Sequence, residues 1–352
     1  MSQRTAAGRL VTTPDSTGRE WPGSHREVSC GLFLSEEARP QWAAQQRIIL
    51  PQTPAFTTGR ILVVAFEGWN DAGEAASGVV QTLRDQLDVY PIAEVDPEDY
   101  FDYQFNRPTV AADDEGTRQI IWPGVTIYGP AQPDSAEGAA VYLLSGTEPS
   151  RGWKTFTEEI LEVVEDAEIT GVVFLGAMLA DVPHTRPISV FTSSENGAVR
   201  EALGIERSSY EGPVGILSIL GDAAEKADIP TVSIWASVPH YVHNAPSPKA
   251  TLAMIEKLED LIGVVIPRGD LVAESAAWEN GIDALAGDDD EMAAYIEQLE
   301  QARDTVDSPE ASGEAIAEEF ERYLQRRDGK DGRDGRDGRG PAGDDPWRPP
   351  AS

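Results

Sequence analysis

The chain has 352 residues, a formal net charge of −33 and 40% apolar residues, enough for a sizeable core in one large domain or two small ones. That charge favours solubility and sets the chain against nucleic acid and anionic membrane; no apolar run reaches the ~18 residues a spanning helix needs. A single cysteine, Cys30, excludes an internal disulfide and fits a reducing compartment, and the start lacks the basic-then-apolar layout of a secretory signal, so a cytoplasmic protein is expected.

Residues 1–56 mix polar residues, Gly and Pro without a sustained period and are expected to form a disordered leader. Ile61 to Phe66 is then an unbroken apolar run of strand length. Gly68 breaks it, and Ala76, Val79, Val80, Leu83 and Leu87 recur at helical spacing, which predicts a helix over Asp71–Leu87. Further strands are predicted at Gln119–Tyr128, Ala139–Leu144, Gly171–Leu175, Ile188–Thr192 and Thr231–Trp235. Helices are predicted at Trp153–Asp166, Val214–Ala227 and Pro248–Ile262. Strand alternating with helix implies an α/β domain over residues 57–266, a mostly parallel sheet between two helical layers.

Near Pro267 the texture changes. Leu271, Trp278, Ile282 and Leu285 recur at helical spacing, as do Met292, Tyr295, Ile296 and Leu299, then Ile316, Phe320 and Leu324. Asp288 with Glu291 gives a capping-box start, and Ser308-Pro309 an N-cap followed by proline. Asp270 to Gln325 holds 17 acidic and 2 basic residues, so residues 267–326 are expected to be an acidic helical extension. Residues 327–352 carry a triplet repeat, Asp328-Gly-Lys-Asp-Gly-Arg, that lacks the proline of a triple helix and predicts a flexible tail.

In a parallel sheet, the loops after the strands gather at one edge, where open α/β sheets place their sites. The scarce residue types cluster there: Trp69, Asn70 and Asp71 after the first strand, Asp181, His184 and Arg186 in a proline-flanked loop, then His240 and His243. These eight are the candidate pocket. Asn70 or Asp71 is expected first as a helix cap, and the helix start they precede, with Arg186, could receive an anion. His240 and His243, or Asp181 and His184, have ligand spacing, but no second cluster completes a metal set, and no metal or cofactor is expected. Asp181, His184 and Glu67 would make an acid/base group if their loops met; stiff proline turns tied by an Asp–Arg pair are the scaffolding alternative. Trp69, Trp153, Trp235 and Tyr241 are expected to be core or interface anchors. Neither a nucleophile elbow nor a nucleotide-binding glycine fingerprint is found in these loops.

Three segments carry a family resemblance. Phe66-Glu-Gly-Trp-Asn-Asp-Ala-Gly-Glu-Ala-Ala76, Leu175-Gly-Ala-Met-Leu-Ala-Asp-Val-Pro-His-Thr-Arg-Pro187 and Tyr210-Glu-Gly-Pro-Val-Gly-Ile216 resemble the proteasome assembly chaperone family of the second type, in its actinobacterial branch. The resemblance runs from about Gly59 to Arg268 and implies a phosphorylase/hydrolase-like α/β fold. It further implies a role in protein interaction or assembly with proteasome subunits or another protein, without transferable catalytic residues. Fold likeness to phosphorylases is no evidence of activity. Several relatives dock through a C-terminal hydrophobic-Tyr tail, from which the ending Pro349-Pro-Ala-Ser352 departs. The expected protein is a cytoplasmic homo-oligomer of this kind; the alternative is a nucleoside- or anion-binding protein, or a hydrolase, using the pocket at the strand ends.

Overall fold

The apolar run Ile61–Phe66 becomes the middle of the sheet. The computed structural model describes residues 56–113, 116–133 and 138–307. The expected leader (apart from residue 56), Cys30, the repeat tail, Ser308-Pro309 and the apolar series Ile316, Phe320 and Leu324 lie outside the described residues. In chain order come β1 (Gly59–Glu67), α1 (Ala75–Gln86), β2 (Val89–Val95), β3 (Thr109–Ala112), β4 (Arg118–Ile121), β5 (Val125–Pro130) and β6 (Ala139–Thr147). Then follow α2 (Trp153–Asp166), β7 (Gly171–Ala180), β8 (Val190–Ser193), α3 (Gly197–Leu203), α4 (Ile216–Lys226) and β9 (Thr231–Pro239). Helices α5 (Pro248–Ile262), α6 (Leu271–Gly287) and α7 (Asp290–Asp307) complete the described chain.

The main sheet has the order β2-β5-β6-β1-β7-β9-β8. Its four central strands, β6, β1, β7 and β9, run parallel, in registers such as Gly59↔Ala139, Ile61↔Gly171 and Val172↔Thr231. Strands β5 and β8 pair antiparallel to this centre, and β2 pairs antiparallel to β5. The pleat sends alternate β1 residues to opposite faces. Ile61, Val63 and Ala65 pack with Val79, Val80 and Leu83 of α1 and with Met254 and Leu258 of α5. Leu62, Val64 and Phe66 pack with Phe156 and Ile160 of α2 and with Leu217 and Leu220 of α4. Both faces are covered, which is the three-layer mostly parallel arrangement expected. Each large side chain so buried stabilises by about 1.5–3 kcal/mol.

Several elements differ from expectation. The segment Gln119–Tyr128 is not one strand: β4 ends at Ile121 and β5 begins at Val125. Pro123 lies in the break, and a proline cannot donate to a ladder. Strand β2 was not predicted, because Pro91 interrupts its apolar run; it occupies an edge, where proline is tolerated. Strands β7 and β9 continue to Ala180 and Pro239, past their apolar runs, because the ladder between them persists to that pair. Helix α3, also unforeseen, is capped by Asn196, whose side chain accepts from the N–H groups of Ala198 and Val199. Phe56, the last residue of the expected leader, is fully buried against the sheet. In α7 the capping carboxylate is Asp289, which accepts from the N–H of Glu291 and Met292, instead of Asp288.

The chain divides into two compact units, the second beginning at Ala294, inside α7. Helix α6, the start of the expected extension, therefore lies in the first unit and packs against α5. The α5–α6 corner is tied by Arg268, which donates to both carboxylate oxygens of Glu259 at 2.5 Å. These hydrogen bonds hold the Glu259 carboxyl below its ordinary range.

At the end of the β6 ladder, a Cβ on Gly146 would fall 2.0 Å from the Gly124 carbonyl oxygen. Thr147 N–H already donates to that same oxygen at 3.0 Å, so the backbone cannot move away freely. Gly146→Ala is expected to destabilise the fold by about 1–3 kcal/mol. The check is a lowered urea midpoint at unchanged m value; an unchanged midpoint would contradict the close approach.

Candidate functional site

The carboxyl ends of β6, β1, β7 and β9 share one rim, so the loops predicted to gather do leave the sheet from the same edge. Backbone contacts join them. Ala177 N–H donates to Asn70 O at 2.7 Å, Ser247 N–H to Gly73 O at 2.7 Å and Glu148 N–H to Glu67 O at 3.2 Å. Along this rim the eight candidate residues fall into two neighbourhoods.

The first surrounds the start of α1. Trp69 is 62% exposed. Asn70 is buried, its side-chain amide lying against Gly215, where a Cβ would come within 2.1 Å of Asn70 Nδ2. Asp71 caps the helix: Oδ1 accepts from Ala76 N–H at 2.8 Å and from Ser77 N–H at 3.1 Å, and Oδ2 accepts from Ser77 Oγ at 2.5 Å. Burial pushes the Asp71 carboxyl above its ordinary 3.8, bonds from Ser77 and Ala76 oppose that rise, and the Glu67 charge adds to it. A cleft of about 480 Å³ opens beside this cap, lined by Glu67, Gly68, Asp71, Glu74, Ser77, Val80, Gln81, Arg84 and Ser145. Helices α1 and α2, which follow the neighbouring strands β1 and β6, pack on opposite faces. That divergence is where an open α/β sheet leaves a crevice.

The second neighbourhood lies beyond β7 and β9. His184 is fully buried. Its backbone N–H donates to Tyr241 Oη at 2.7 Å, its Nδ1 lies 2.9 Å from the same oxygen, and its Nε2 lies 3.0 Å from Asp283 Oδ1 in α6. Tyr241 Oη already accepts one proton there and has one to give. A neutral ring that takes the Tyr241 proton at Nδ1 presents Nε2–H to Asp283. Trp278, also in α6, meets the imidazole edge-on with ring centroids 6.3 Å apart. Lys249 Nζ adds a further tie, donating to His184 O at 2.5 Å and to Glu279 Oε2 at 2.6 Å.

His240 Nδ1 lies 3.2 Å from Asp181 Oδ1. His243 Nδ1 lies 2.8 Å from His240 O, and Arg186 Nη1 donates to Thr185 Oγ1 at 3.4 Å. The structure thus joins His184 to Tyr241, Asp181 to His240 and His243 to the His240 carbonyl, keeps Arg186 in the loop of His184 with a bond to Thr185, and sets Trp69, Asn70 and Asp71 at the start of α1. His184 meets the carboxylate of Asp283, and Asp181 meets His240. Tyr241 was expected only as an anchor, and Lys249, Glu279 and Asp283 were not foreseen. Asp283 stands 99 positions from His184 on a helix otherwise read by its apolar period, a separation no local pattern bridges. Among the described residues no three His, Cys, Asp or Glu side chains assemble into a possible metal site, and no helix there is long and apolar enough to cross a membrane.

A sequence model of the PAC2 family matches residues 65–286, which include both neighbourhoods and the helix that His184 pins. The chain belongs to the PAC2 family. Among solved PAC2 relatives, a PAC2 family protein from Streptomyces avermitilis is 43% identical, with a TM-score of 0.62, over 68% of this chain and 100% of its own. The proteasome-assembly chaperone homologue of Mycobacterium tuberculosis is 42% identical, with a TM-score of 0.60, over 67% of this chain and 99% of its own. An archaeal proteasome activator from Pyrococcus furiosus is 13% identical, with a TM-score of 0.53, over 65% of this chain and 94% of its own; it shares the fold alone. A comparison with curated proteins gave no match.

Two outcomes follow from this PAC2 rim. His184→Ala removes a fully buried side chain together with its bonds to Tyr241 and Asp283 and its ring contact with Trp278, and is expected to cost roughly 1–3 kcal/mol. Asp283→Ala removes a carboxylate that is 55% exposed and is expected to cost less than about 1 kcal/mol. Urea unfolding of both variants checks the order; equal costs would mean that the buried imidazole is not the pin. The Asp71 carboxyl, raised in the folded state, keeps its proton above pH 3.8 where the unfolded chain gives it up. Its linked stability is thus greatest below 3.8 and falls as pH rises through the window between 3.8 and the raised folded value. Asp71→Asn should flatten that part of the stability-versus-pH curve, measured by urea titration across the window; an unaltered slope would count against the assignment.

Proposed function

We propose that this chain works by binding another protein, in the manner of an assembly chaperone, with proteasome subunits as the first partners to test and with the chain itself acting as a cytoplasmic homo-oligomer. One observation carries the reading: 42% identity to the proteasome-assembly chaperone homologue of Mycobacterium tuberculosis over 99% of that protein's length. The chemistry of the rim agrees with it. Trp69, Met178 and Leu179, 62%, 42% and 48% exposed, stand at the carboxyl ends of adjacent strands. Exposed apolar and aromatic side chains on such an edge are the material of protein contacts. The histidine neighbourhood supports the same reading, since His184 is spent in tying the rim to α6. The anion-binding alternative would use the cleft, where three carboxyl side chains, Glu67, Asp71 and Glu74, outnumber the single guanidinium of Arg84 and weigh against such a ligand.

Affinity capture from the native cytosol with the full chain tests the proposal. Proteasome subunits are expected in the wild-type eluate, and Trp69→Ala should lower their yield several-fold, because an exposed aromatic anchor commonly dominates a contact. Recovery of no proteasome subunit above background would overturn the reading.

A further inference from the structure

Exposed apolar side chains from three loops of the rim flank a single knot of contacts. Ala177 N–H donates to Asn70 O at 2.7 Å, which sets Met178 beside Trp69. The Asn70 amide lies against Gly215, where a Cβ would come within 2.1 Å of Nδ2, and this brings in Val214. Glu148 closes the knot from the loop after β6: its Oε1 accepts from Ile216 N–H at 2.8 Å at the start of α4. Tyr210 joins through its hydroxyl, which donates to Pro213 O at 3.0 Å and folds the loop back toward Val214. Tyr210 and Val214 are 63% and 44% exposed, as bare as Trp69 and Met178. Every residue from 206 to 214 is exposed, yet the segment is pinned at both ends. Ser194 N–H donates to Glu206 O at 3.2 Å at one end, and Glu148 holds Ile216 at the other. Pinned ends limit the ordering cost of a contact made on such a strap, and large apolar side chains converging from three loops mark a contact surface.

The chemistry around the knot selects the occupant. The five segments that make the rim, 67–74, 145–152, 177–187, 206–215 and 239–246, carry seven acidic and three basic residues, a net of −4 with histidine neutral. The three arginines are turned to partners of their own. Arg151 donates to the carbonyls of Glu98 and Asp99, Arg186 to Thr185 Oγ1, and Arg207 pairs with Glu195 at 2.5 Å. Carboxylates adjoin the apolar set directly: Glu67 stands two residues before Trp69, Glu211 follows Tyr210, and Glu148 reaches the start of α4 beside Val214. A second copy, at a formal charge of −33, would bring like charge to this place. A cationic side chain suits it on two counts, since an ammonium or guanidinium is drawn to the face of an exposed indole or phenol ring and to the carboxylate next to it. We infer that Trp69, Met178, Tyr210 and Val214 form the docking site for a protein segment in which arginine or lysine side chains flank apolar ones. This rests on the protein-binding part of the function proposed above and names the chemistry of the segment bound.

Fluorescence anisotropy on the full chain at physiological salt tests it with labelled hexapeptides that alternate arginine with leucine, arginine with serine, or glutamate with leucine. The arginine–leucine peptide is expected to bind, the arginine–serine peptide at least about tenfold more weakly, and the glutamate–leucine peptide not at all. Trp69→Ala and Tyr210→Ala should each weaken the arginine–leucine complex about tenfold, and Glu211→Lys several-fold. These side chains are exposed, so the fold survives their loss. Val265→Ser, which removes an 83% exposed apolar side chain outside the rim, should leave the affinity unchanged. Equal binding of the arginine–serine peptide would reduce the effect to bulk charge and overturn the inference. Indifference to Trp69→Ala and Tyr210→Ala, or failure of the arginine–leucine peptide to bind, would overturn it as well. Amide exchange over residues 206–214 should slow when that peptide is added; slowing with protein concentration alone would assign the patch to a second copy, which also overturns the inference. A chain that binds no peptide but still captures proteasome subunits sinks this inference and spares the proposed function. A chain that binds the peptide at this patch but captures no proteasome subunit does the reverse.

Discussion

Two-sided burial of β6, β1, β7 and β9 is the constraint on which the architecture rests. A strand with helices on both faces must be apolar at nearly every position, which accounts for Ile61–Phe66 and Gly171–Leu175 alike. The same constraint leaves polar chemistry only one place to collect, where the strands stop. It also explains small residues inside the ladder: a Cβ on Gly176 would fall 2.7 Å from the Trp235 ring, and one on Gly171 would fall 3.0 Å from Phe56. The central strands are thus occupied with packing, and recognition is left to the rim and to segments outside the main sheet.

Along the rim, an open cleft and a buried set of ties divide between neighbouring loops. Around α1, a buried carboxylate serves as the helix cap and borders an acidic cleft. Beyond β7 and β9, a buried imidazole, a tyrosine hydroxyl and a lysine connect the loops to α6. The effect is to extend the α/β domain past the helix α5, so that α6 is bound by polar ties as well as by apolar packing. Glu259 and Arg268 fix the corner through which the chain reaches it.

Much of this was legible because the local and tertiary patterns agree. Helices α2 and α5 match their periodic segments to the residue, since amphipathic stripes such as Phe156, Ile160 and Val163 leave no rival reading. The expectation of a helix cap at Asp71 held because the acceptor and its donors lie within a few positions of one another. Where two strands share one apolar stretch, as at Gln119–Tyr128, only Pro123 betrays the break. Long-range polar partnerships left no trace at all: neither Asp283 nor Lys249 stands out on its helix, yet both meet the His184 residue. Scarcity of histidine pointed to loops that do leave the sheet at one edge, but scarcity does not distinguish a buried tie from a binding group.

The two margins of the main sheet have a consequence of their own. At one, β2 carries Pro91 and a register shift between Pro91 and Ala93; at the other, β8 is only four residues long, and Ser193 at its end already bridges to Glu206. A missing amide, a kink and a stub are poor templates for an incoming strand. Extension of the main sheet by backbone hydrogen bonding is thereby discouraged at both margins, which leaves side chains as the means by which that sheet's periphery meets other molecules.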